Sequence, residues 1–234
     1  SINNSDGVTS VSNSLKEETL GLFNITNKIN VIPNFIEIEK YSKVKRNPYK
    51  SKLCPNGEKL LIHTSNFRKV KRIQDVINIF CKINKEIPSK LIMIGDGPER
   101  ANIESLTRSL CSLRDVMFIG KIPDVENVLY KADLFLLTSE KESFGLSALE
   151  AMASSVPVIS SNAGGLPELV EEGVSGFTCD VGDINSMSEK ALHILDKKNI
   201  RGFKENALRV AKNYDINIIL PKYIEFYKKI LNND

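Results

Sequence analysis

Two glutamates, Glu142 and Glu150, lie eight positions apart in the stretch "EKESFGLSALEAMA", residues 140–153. If the stretch is helical, its rise of about 1.5 Å per residue separates the two carboxylates by roughly 12 Å. Paired hydrolase carboxylates stand about 5–9.5 Å apart, so this spacing does not suit an acid/base couple on one glycosidic bond. We predict instead that the two side chains hold two parts of one extended ligand.

The corner between these glutamates predicts a helix start capped by Ser143. The first N–H groups of a helix have no intrahelical partner, so such an end binds anions. Here these groups belong to Phe144, Gly145 and Leu146. Leu146, Leu149 and Ala153 are expected to form the buried stripe of the helix.

The basic stretch "SNFRKVKR", residues 65–72, follows an apolar run that is typical of a buried strand. A solvated basic loop is one interpretation of these four cations. Their place at the carboxyl end of a buried strand favours an anionic ligand, so we predict a phosphate-binding loop. Phe67 is its only aromatic residue, which argues against a stacking platform for single-stranded nucleic acid.

The stretch "GDGPER", residues 95–100, resembles the beginning of a dinucleotide fingerprint, but Arg100 stands where a third glycine is required. We reject nicotinamide dinucleotide binding and assign Gly97 to a tight turn that a ligand could approach. The sequence contains no phosphate-binding P-loop motif, no D-x-D and no H-x-x-x-H, so we expect no metal site. His63 and His193 have no nucleophile or carboxylate partner by motif, and each is expected to be a packed or surface histidine rather than a catalyst.

The composition is that of a globular protein: 234 residues, 41% hydrophobic and 26% charged, with a net charge of +3. That charge is too small to indicate nucleic-acid or membrane binding. No apolar run approaches the roughly 18 residues of a membrane span. The four cysteines lie far apart, so reduced thiols and a cytoplasmic location are expected. Nothing here constrains self-association, and a homo-oligomer stays open.

Apolar runs alternate with helical patterns along the middle of the chain. These runs have the near-continuous hydrophobicity of strands that are buried on both faces of a parallel sheet. The predicted strands are 60–65, 90–95, 116–120, 133–139, 156–160 and 176–180. Helices are predicted at 72–83, with a stripe of Ile73, Val76, Ile77 and Phe80, and at 98–110, with Ile103, Leu106 and Leu110 along one face. The fold class is α/β, a doubly wound parallel sheet.

The ends of the chain differ from this middle. Residues 1–36 predict one βαβ unit, with a helix capped by Ser14 and Glu17, that is too small to bury its own core. We expect it to complete a domain whose earlier part is absent from this sequence. Residues 37–58 are predicted to be a linker, residues 59–212 the ligand-binding domain, and residues 213–234 a helix that returns towards the N-terminal unit.

Taken together, these loops resemble retaining glycosyltransferases of the family-4 type, whose GT-B fold has two facing Rossmann-like domains. Glu142 and Glu150 match the E-x7-E motif, and "GDGPE", "FIGKIPD" and "NAGGLPELVEEGVSGF" occur in the family's order and spacing. The stretches "IHTSNFRKVKRIQDVI" and "SEKESFGL" are most similar to members that transfer N-acetylglucosamine from uridine diphosphate (UDP) to L-malate in bacillithiol biosynthesis. The resemblance implies that residues 59–212 are the donor-binding domain and that residues 1–36 are the remnant of the acceptor domain.

The resemblance also implies roles for individual residues. Lys71 matches the family's diphosphate-binding lysine, and Asn66 with Arg68 takes the place of the family's arginine. Glu150 matches the ribose-binding glutamate and Glu142 the glutamate beside the transferred sugar. Lys121 and Ile122 lie in the loop that flanks the base.

In this type of transfer the acceptor attacks on the face from which the diphosphate leaves, and the leaving phosphate can act as the base. The residues expected to carry the reaction are Glu142, Lys71 and Arg68, together with the helix start. No cofactor and no metal are implied. Two alternatives stay open: a lipid or polysaccharide acceptor, and a nucleotide-sugar-binding module without turnover.

Overall fold

The computed structural model describes residues 2–42, 53–110 and 114–232, and it contains a six-stranded sheet in which every pairing is parallel. Each predicted apolar run forms one of its strands. The strands are β3 (Lys59–Thr64), β4 (Ser89–Ile94), β5 (Val116–Gly120), β6 (Leu134–Leu137), β7 (Val158–Ser161) and β8 (Gly176–Cys179).

The strand order β5-β4-β3-β6-β7-β8 shows that the chain winds outward from β3 twice, in opposite directions. A buried hydrophobic cluster covers each face of the sheet: Leu60 and Phe135 belong to one, and Leu61 and Leu134 to the other. The doubly wound α/β fold is therefore confirmed. The order reverses between β3 and β6, and a ligand crevice is expected beyond the carboxyl ends of these strands.

Helices connect the strands and cover both faces of the sheet. They are α3 (Ile73–Glu86), α4 (Arg100–Leu110), α5 (Glu126–Leu129), α6 (Leu146–Ala153), α7 (Leu166–Leu169), α8 (Ile184–Leu195) and α9 (Ile200–Ala211). The predicted stripe of α3 is confirmed, because Ile73, Val76, Ile77 and Phe80 are all buried. The prediction for Leu110 was wrong: it ends α4 with 47% of its surface exposed.

The N-terminal unit contains β1 (Val8–Ser10), α1 (Asn13–Leu22) and β2 (Ile29–Val31), and the two strands pair in parallel. The predicted cap of its helix was wrong by two residues. Ser12, not Ser14, is the N-cap, and its side chain accepts from Leu15 N. Ser12 is better placed because its extended backbone aims the hydroxyl back at the first turn.

Two further helices link the ends of the chain. Helix α2 (Ile38–Ser42) lies within the segment predicted as a linker, of which residues 43–52 lie outside the described residues. Helix α10 (Ile216–Leu231) contacts the N-terminal unit: Tyr223 Oη donates to Ile32 O at 3.1 Å, and Ile36 forms a parallel bridge with Asp215. The domain limits given above stay a prediction.

The cysteines depart from expectation. Cys54 and Cys179 are free, but Cys81, on α3, is disulfide-bonded. The prediction that all four thiols are reduced was therefore wrong, because wide spacing in sequence says nothing about distance in the fold.

In the described ranges, no helix combines the length and the hydrophobicity that crossing a membrane requires.

Candidate active site

A cleft of about 520 Å³ opens beyond the carboxyl ends of the central strands, between α1 and the loop that follows β6. Both the N-terminal unit and the large sheet contribute to its walls. The lining residues are Ser14, Leu15, Glu18, Lys71, Glu140, Lys141, Glu142, Ser143 and Gly164. Its position is the one expected for a ligand at the reversal point of a doubly wound sheet.

Lys71 and Glu142 meet in this cleft. Lys71 Nζ lies 2.6 Å from Glu142 Oε2, and Ser139 Oγ donates to the same oxygen at 3.3 Å. The side chain of Lys71 is 19% exposed and that of Glu142 is 17% exposed, so both charges are largely removed from water but remain open to a ligand. A cation in such a place can bind a diphosphate, and the neighbouring carboxylate can accept from sugar hydroxyl groups.

The backbone of the basic loop is anchored to the end of β6. Thr138 Oγ1 donates to Lys71 O at 3.1 Å and to Arg72 O at 3.0 Å. The N–H of Glu140 donates to Val70 O at 2.7 Å. Arg72 has a left-handed backbone, with φ of 46°, and its side chain pairs with Asp75 at 2.6 Å. These contacts hold Lys71 over the cleft.

Asn66 and Arg68, also predicted to bind phosphate, lie exposed on the same loop. Within the described parts of the chain, Arg68 forms no ion pair, so its role stays a prediction. Phe67 between them is fully buried. A Cβ added to Gly97 would lie 2.7 Å from Phe67 O, so the tight turn assigned to Gly97 is enforced by backbone packing. Its contact with a ligand stays a prediction.

The start of α6 differs from expectation. The helix begins at Leu146 after Gly145, whose φ of 98° is left-handed, and no side chain caps it. The prediction of a Ser143 cap was wrong; its carbonyl instead accepts from Ser12 Oγ at 2.6 Å. Phe144 is buried edge-on against Tyr214, with 5.6 Å between ring centroids.

Leu146 was also wrongly assigned to the buried stripe of α6, since 46% of its surface is exposed, whereas Leu149 and Ala153 are buried as predicted. Because α6 begins two residues later than a Ser143 cap implies, Leu146 is the first residue of the helix and lies at its exposed start.

Glu150 lies on α6, eight residues after Glu142, and has a partner that the sequence did not indicate. Tyr41 Oη, from α2, donates to Glu150 Oε1 at 3.3 Å. Burial raises the pKa of the Glu150 carboxyl above its ordinary value, and the Tyr41 hydrogen bond opposes this shift. Burial, with the charges of Glu150 and Glu126, also raises the pKa of the Tyr41 hydroxyl.

The loop after β5 carries Lys121, which is exposed, and Ile122, which is partly buried against the core. It leads into α5, where Glu126 is only 6% exposed and pairs with Lys40 of α2 at 3.2 Å. The predicted base-flanking loop and the Glu150 helix therefore both border α2. That Lys121 and Ile122 flank a base stays a prediction.

His63 lies within β3 and is packed on all sides, whereas His193, on α8, is exposed. Its Nδ1 donates to Leu136 O at 2.9 Å, because a carbonyl can only accept, and Nε2 accepts from Ser65 Oγ at 2.7 Å. Burial lowers the pKa of His63 to about 4, so the ring is neutral near pH 7. It orients Ser65 at the end of the strand and does not act as a proton carrier.

Lys71 therefore pairs with Glu142, and Tyr41 donates to Glu150. Sequence reasoning missed several neighbours of these residues. Ser14, Leu15 and Glu18 of α1 line the cleft, and Tyr41 contacts Glu150. Only the capping pattern near α1 gave any local signal of this region. Among the residues described, no group of three or more histidine, cysteine or acidic side chains could hold a metal ion.

Comparison with known proteins identifies the family of this chain. The family model for glycosyl transferases group 1 matches residues 45–213. N-acetyl-alpha-D-glucosaminyl L-malate synthase from Bacillus anthracis is 41% identical over all of this chain, which covers 62% of that relative. The chain thus spans less than two thirds of that relative's length.

Solved structures show the same fold. A glycosyltransferase from Rickettsia africae superimposes with a TM-score of 0.87 and 23% identity, covering 97% of this chain and 64% of that one. HepE from Anabaena, solved with UDP and glucose, gives a TM-score of 0.84 and 24% identity, covering 96% and 63%. Over its described residues the chain shares the fold of these GT-B glycosyltransferases, and it belongs to the group 1 glycosyl transferases.

Proposed function

We propose that this chain is the donor-binding part of a retaining glycosyltransferase that transfers N-acetylglucosamine from UDP-N-acetylglucosamine to L-malate. The observation that carries the proposal is the Lys71–Glu142 pair in the cleft, 2.6 Å apart at the reversal point of the sheet. The choice of donor sugar and acceptor rests on the 41% identity to the Bacillus anthracis malate synthase. A cytoplasmic location stays a prediction, because the disulfide of Cys81 removes the reduced-thiol argument for it.

The proposed step breaks the bond between the anomeric carbon and the diphosphate oxygen and forms a bond from that carbon to the malate hydroxyl oxygen. The hydroxyl proton passes to the leaving diphosphate. Lys71 and Arg68 stabilise the negative charge that develops on this diphosphate, together with the unpaired N–H groups at the start of α6. Glu142 holds the sugar, Glu150 the ribose, and Lys121 with Ile122 the base.

Calorimetry with this chain tests the donor part of the proposal. UDP is expected to bind more tightly than uridine monophosphate, because only the diphosphate reaches Lys71. Equal affinities would contradict the diphosphate assignment. Absence of any UDP binding would contradict the donor site as a whole.

The acceptor is tested with the product of the complete reading frame that encodes this chain. We expect release of UDP from UDP-N-acetylglucosamine that depends on L-malate. Turnover with a lipid or polysaccharide acceptor but not with malate would establish a different transferase. Donor binding without turnover on any of these acceptors would establish a binding module.

Donor binding is further expected to be independent of divalent metal, since the described residues offer no acidic cluster to hold one. Titration of UDP into this chain with and without a chelator should give the same dissociation constant. A more than tenfold loss of affinity on chelation would refute this prediction.

A further inference from the structure

Helix α2 contacts two acidic side chains, Glu150 of α6 and Glu126 of α5. Its Tyr41 is 7% exposed and belongs to the hydrophobic core, so its ring has one packed position. From that position the hydroxyl reaches Glu150 Oε1, while Lys40, one residue earlier, reaches Glu126 Oε1. A short helix thus contacts two acidic residues that are distant in sequence.

Glu150 needs such support because it lies among charges of both signs. The groups that face it are Tyr41 and Lys40 from α2 and Glu126 from α5. Glu126 is buried, and its Oε2 has no hydrogen-bond partner in the described structure. A second carboxylate in this position repels Glu150, so the Glu150 side chain would turn away without a fixed donor.

We propose that Tyr41 is a positioning residue for Glu150: it donates to Oε1 and leaves Oε2 to accept from the ribose hydroxyl groups of the donor. This inference rests on the proposed function, in which Glu150 binds the ribose. It adds that ribose recognition depends on the segment that joins the N-terminal unit to the sheet. Lys40 supports the arrangement by balancing the charge of Glu126.

The substitution Tyr41→Phe tests the inference, since it keeps the packed ring and removes only the hydroxyl. Its affinity for UDP is expected to fall about three- to tenfold, the range of a single hydrogen bond. Its affinity for the 2′,3′-dideoxy analogue of UDP, which lacks the ribose hydroxyls, should change less than twofold. The matched control is Tyr223→Phe, which removes the hydroxyl that donates to Ile32 O and should alter neither affinity.

A double-mutant cycle with Glu150→Gln gives the second measurement. If Tyr41 acts through the carboxylate, the loss in Tyr41→Phe should shrink to less than twofold when Glu150 is already Gln. Equal losses for UDP and its dideoxy analogue would overturn the inference and leave Tyr41 as a packing residue. Additive losses in the double-mutant cycle would also overturn the inference. If the parent chain bound no UDP, the proposed function itself would fail, and this inference with it.

The pH dependence gives a readout that a packing residue would not change. Ribose recognition needs the carboxylate, so the ratio of UDP to dideoxy affinity should fall as pH drops through the pKa of Glu150. The Tyr41 hydrogen bond lowers that pKa, so its loss should move the midpoint of the fall to higher pH. Because both ligands carry the same diphosphate, its own titration cancels in the ratio. An unchanged midpoint would overturn the inference.

Discussion

Lys71 and Glu142 pair with each other. Under the proposed function, each also contacts the donor: Lys71 the diphosphate and Glu142 the sugar. Lys71 Nζ and Glu142 Oε2 are 2.6 Å apart in the cleft. A bound diphosphate offers Lys71 a stronger anionic partner, with more acceptor oxygens, than the single carboxylate. Under the proposed function, Glu142 would then be available for the sugar, and we expect donor binding to rearrange the pair.

The substitution Lys71→Ala removes the cation that we propose binds the diphosphate. We expect UDP to bind about ten- to a hundredfold more weakly, as for the loss of a charge-assisted hydrogen bond. Calorimetry measures this directly, with Lys85→Ala as the control, because Lys85 is exposed at the far end of α3. A loss of similar size in the control would show a general effect of net charge.

The substitution Glu142→Gln should have the opposite effect on UDP. It removes a negative charge beside the diphosphate and releases Lys71 from its ion pair, so we expect affinity to rise about two- to tenfold. Transfer by the product of the complete reading frame should fall at the same time, because the sugar loses its carboxylate contact. Weaker UDP binding in this variant would show that Glu142 instead holds Lys71 in place for the ligand.

At the scale of elements, the loops after β6 and β7 hold each other through backbone contacts. The N–H of Gly165 donates to Glu142 O at 2.9 Å. The neighbouring Gly164 has φ of 57°, and a Cβ there would overlap the carbonyl of Glu142. Gly164 and Gly165 therefore do more than form a turn before α7. Their close backbone contacts with Glu142 O fix the position of Glu142.

The substitution Gly164→Ala should consequently damage both fold and site. We expect a loss of at least about 2 kcal/mol in the free energy of unfolding, from left-handed strain and overlap. Urea unfolding measures it, together with weaker UDP binding as the Glu142 loop shifts. The control Gly202→Ala lies inside α9 with nothing within 4 Å, and it should stabilise the chain by about 0.5–1 kcal/mol. An unchanged midpoint for Gly164→Ala would refute the close contact.

At the scale of the whole molecule, the N-terminal unit is attached to the large sheet beside the cleft. Glu168 of α7 accepts from the N–H groups of Asn13 and Ser14, at 2.9 and 2.7 Å. Its carboxylate thus serves the first turn of α1 across 155 positions of sequence. Since α1 lines one side of the cleft, this contact contributes to the shape of the site.

The substitution Glu168→Ala should loosen α1 without unfolding the sheet. We expect the first-turn amides of α1 to exchange hydrogen faster by about two- to tenfold, consistent with about 0.5–1.5 kcal/mol for loss of a helix cap. Amides of β3 and β6 should not change. The control Glu205→Ala, an exposed pair with Arg201, should leave α1 unaffected. Equal exchange in parent and variant would show that other contacts hold α1.

The strands and most helices were predictable from sequence because their signals are local. Runs such as Leu60–Ile62 and Leu134–Leu137 are apolar on both faces, and this pattern requires a buried parallel strand wherever the chain is placed. The stripe of α3 follows from the period of one helix. The positions of Lys71 and Glu142 at strand ends followed from the same elements, and with them the location of the site.

Only the tertiary structure showed which side chains meet. Lys71 and Glu142 are 71 positions apart, and Tyr41 and Glu150 are 109 positions apart. The disulfide of Cys81 and the Ser12 contact with Ser143 were missed for the same reason. Hydrophobic periodicity records which face of an element is buried, whereas a polar contact depends on how distant elements are placed, and no local pattern in this sequence carries that information.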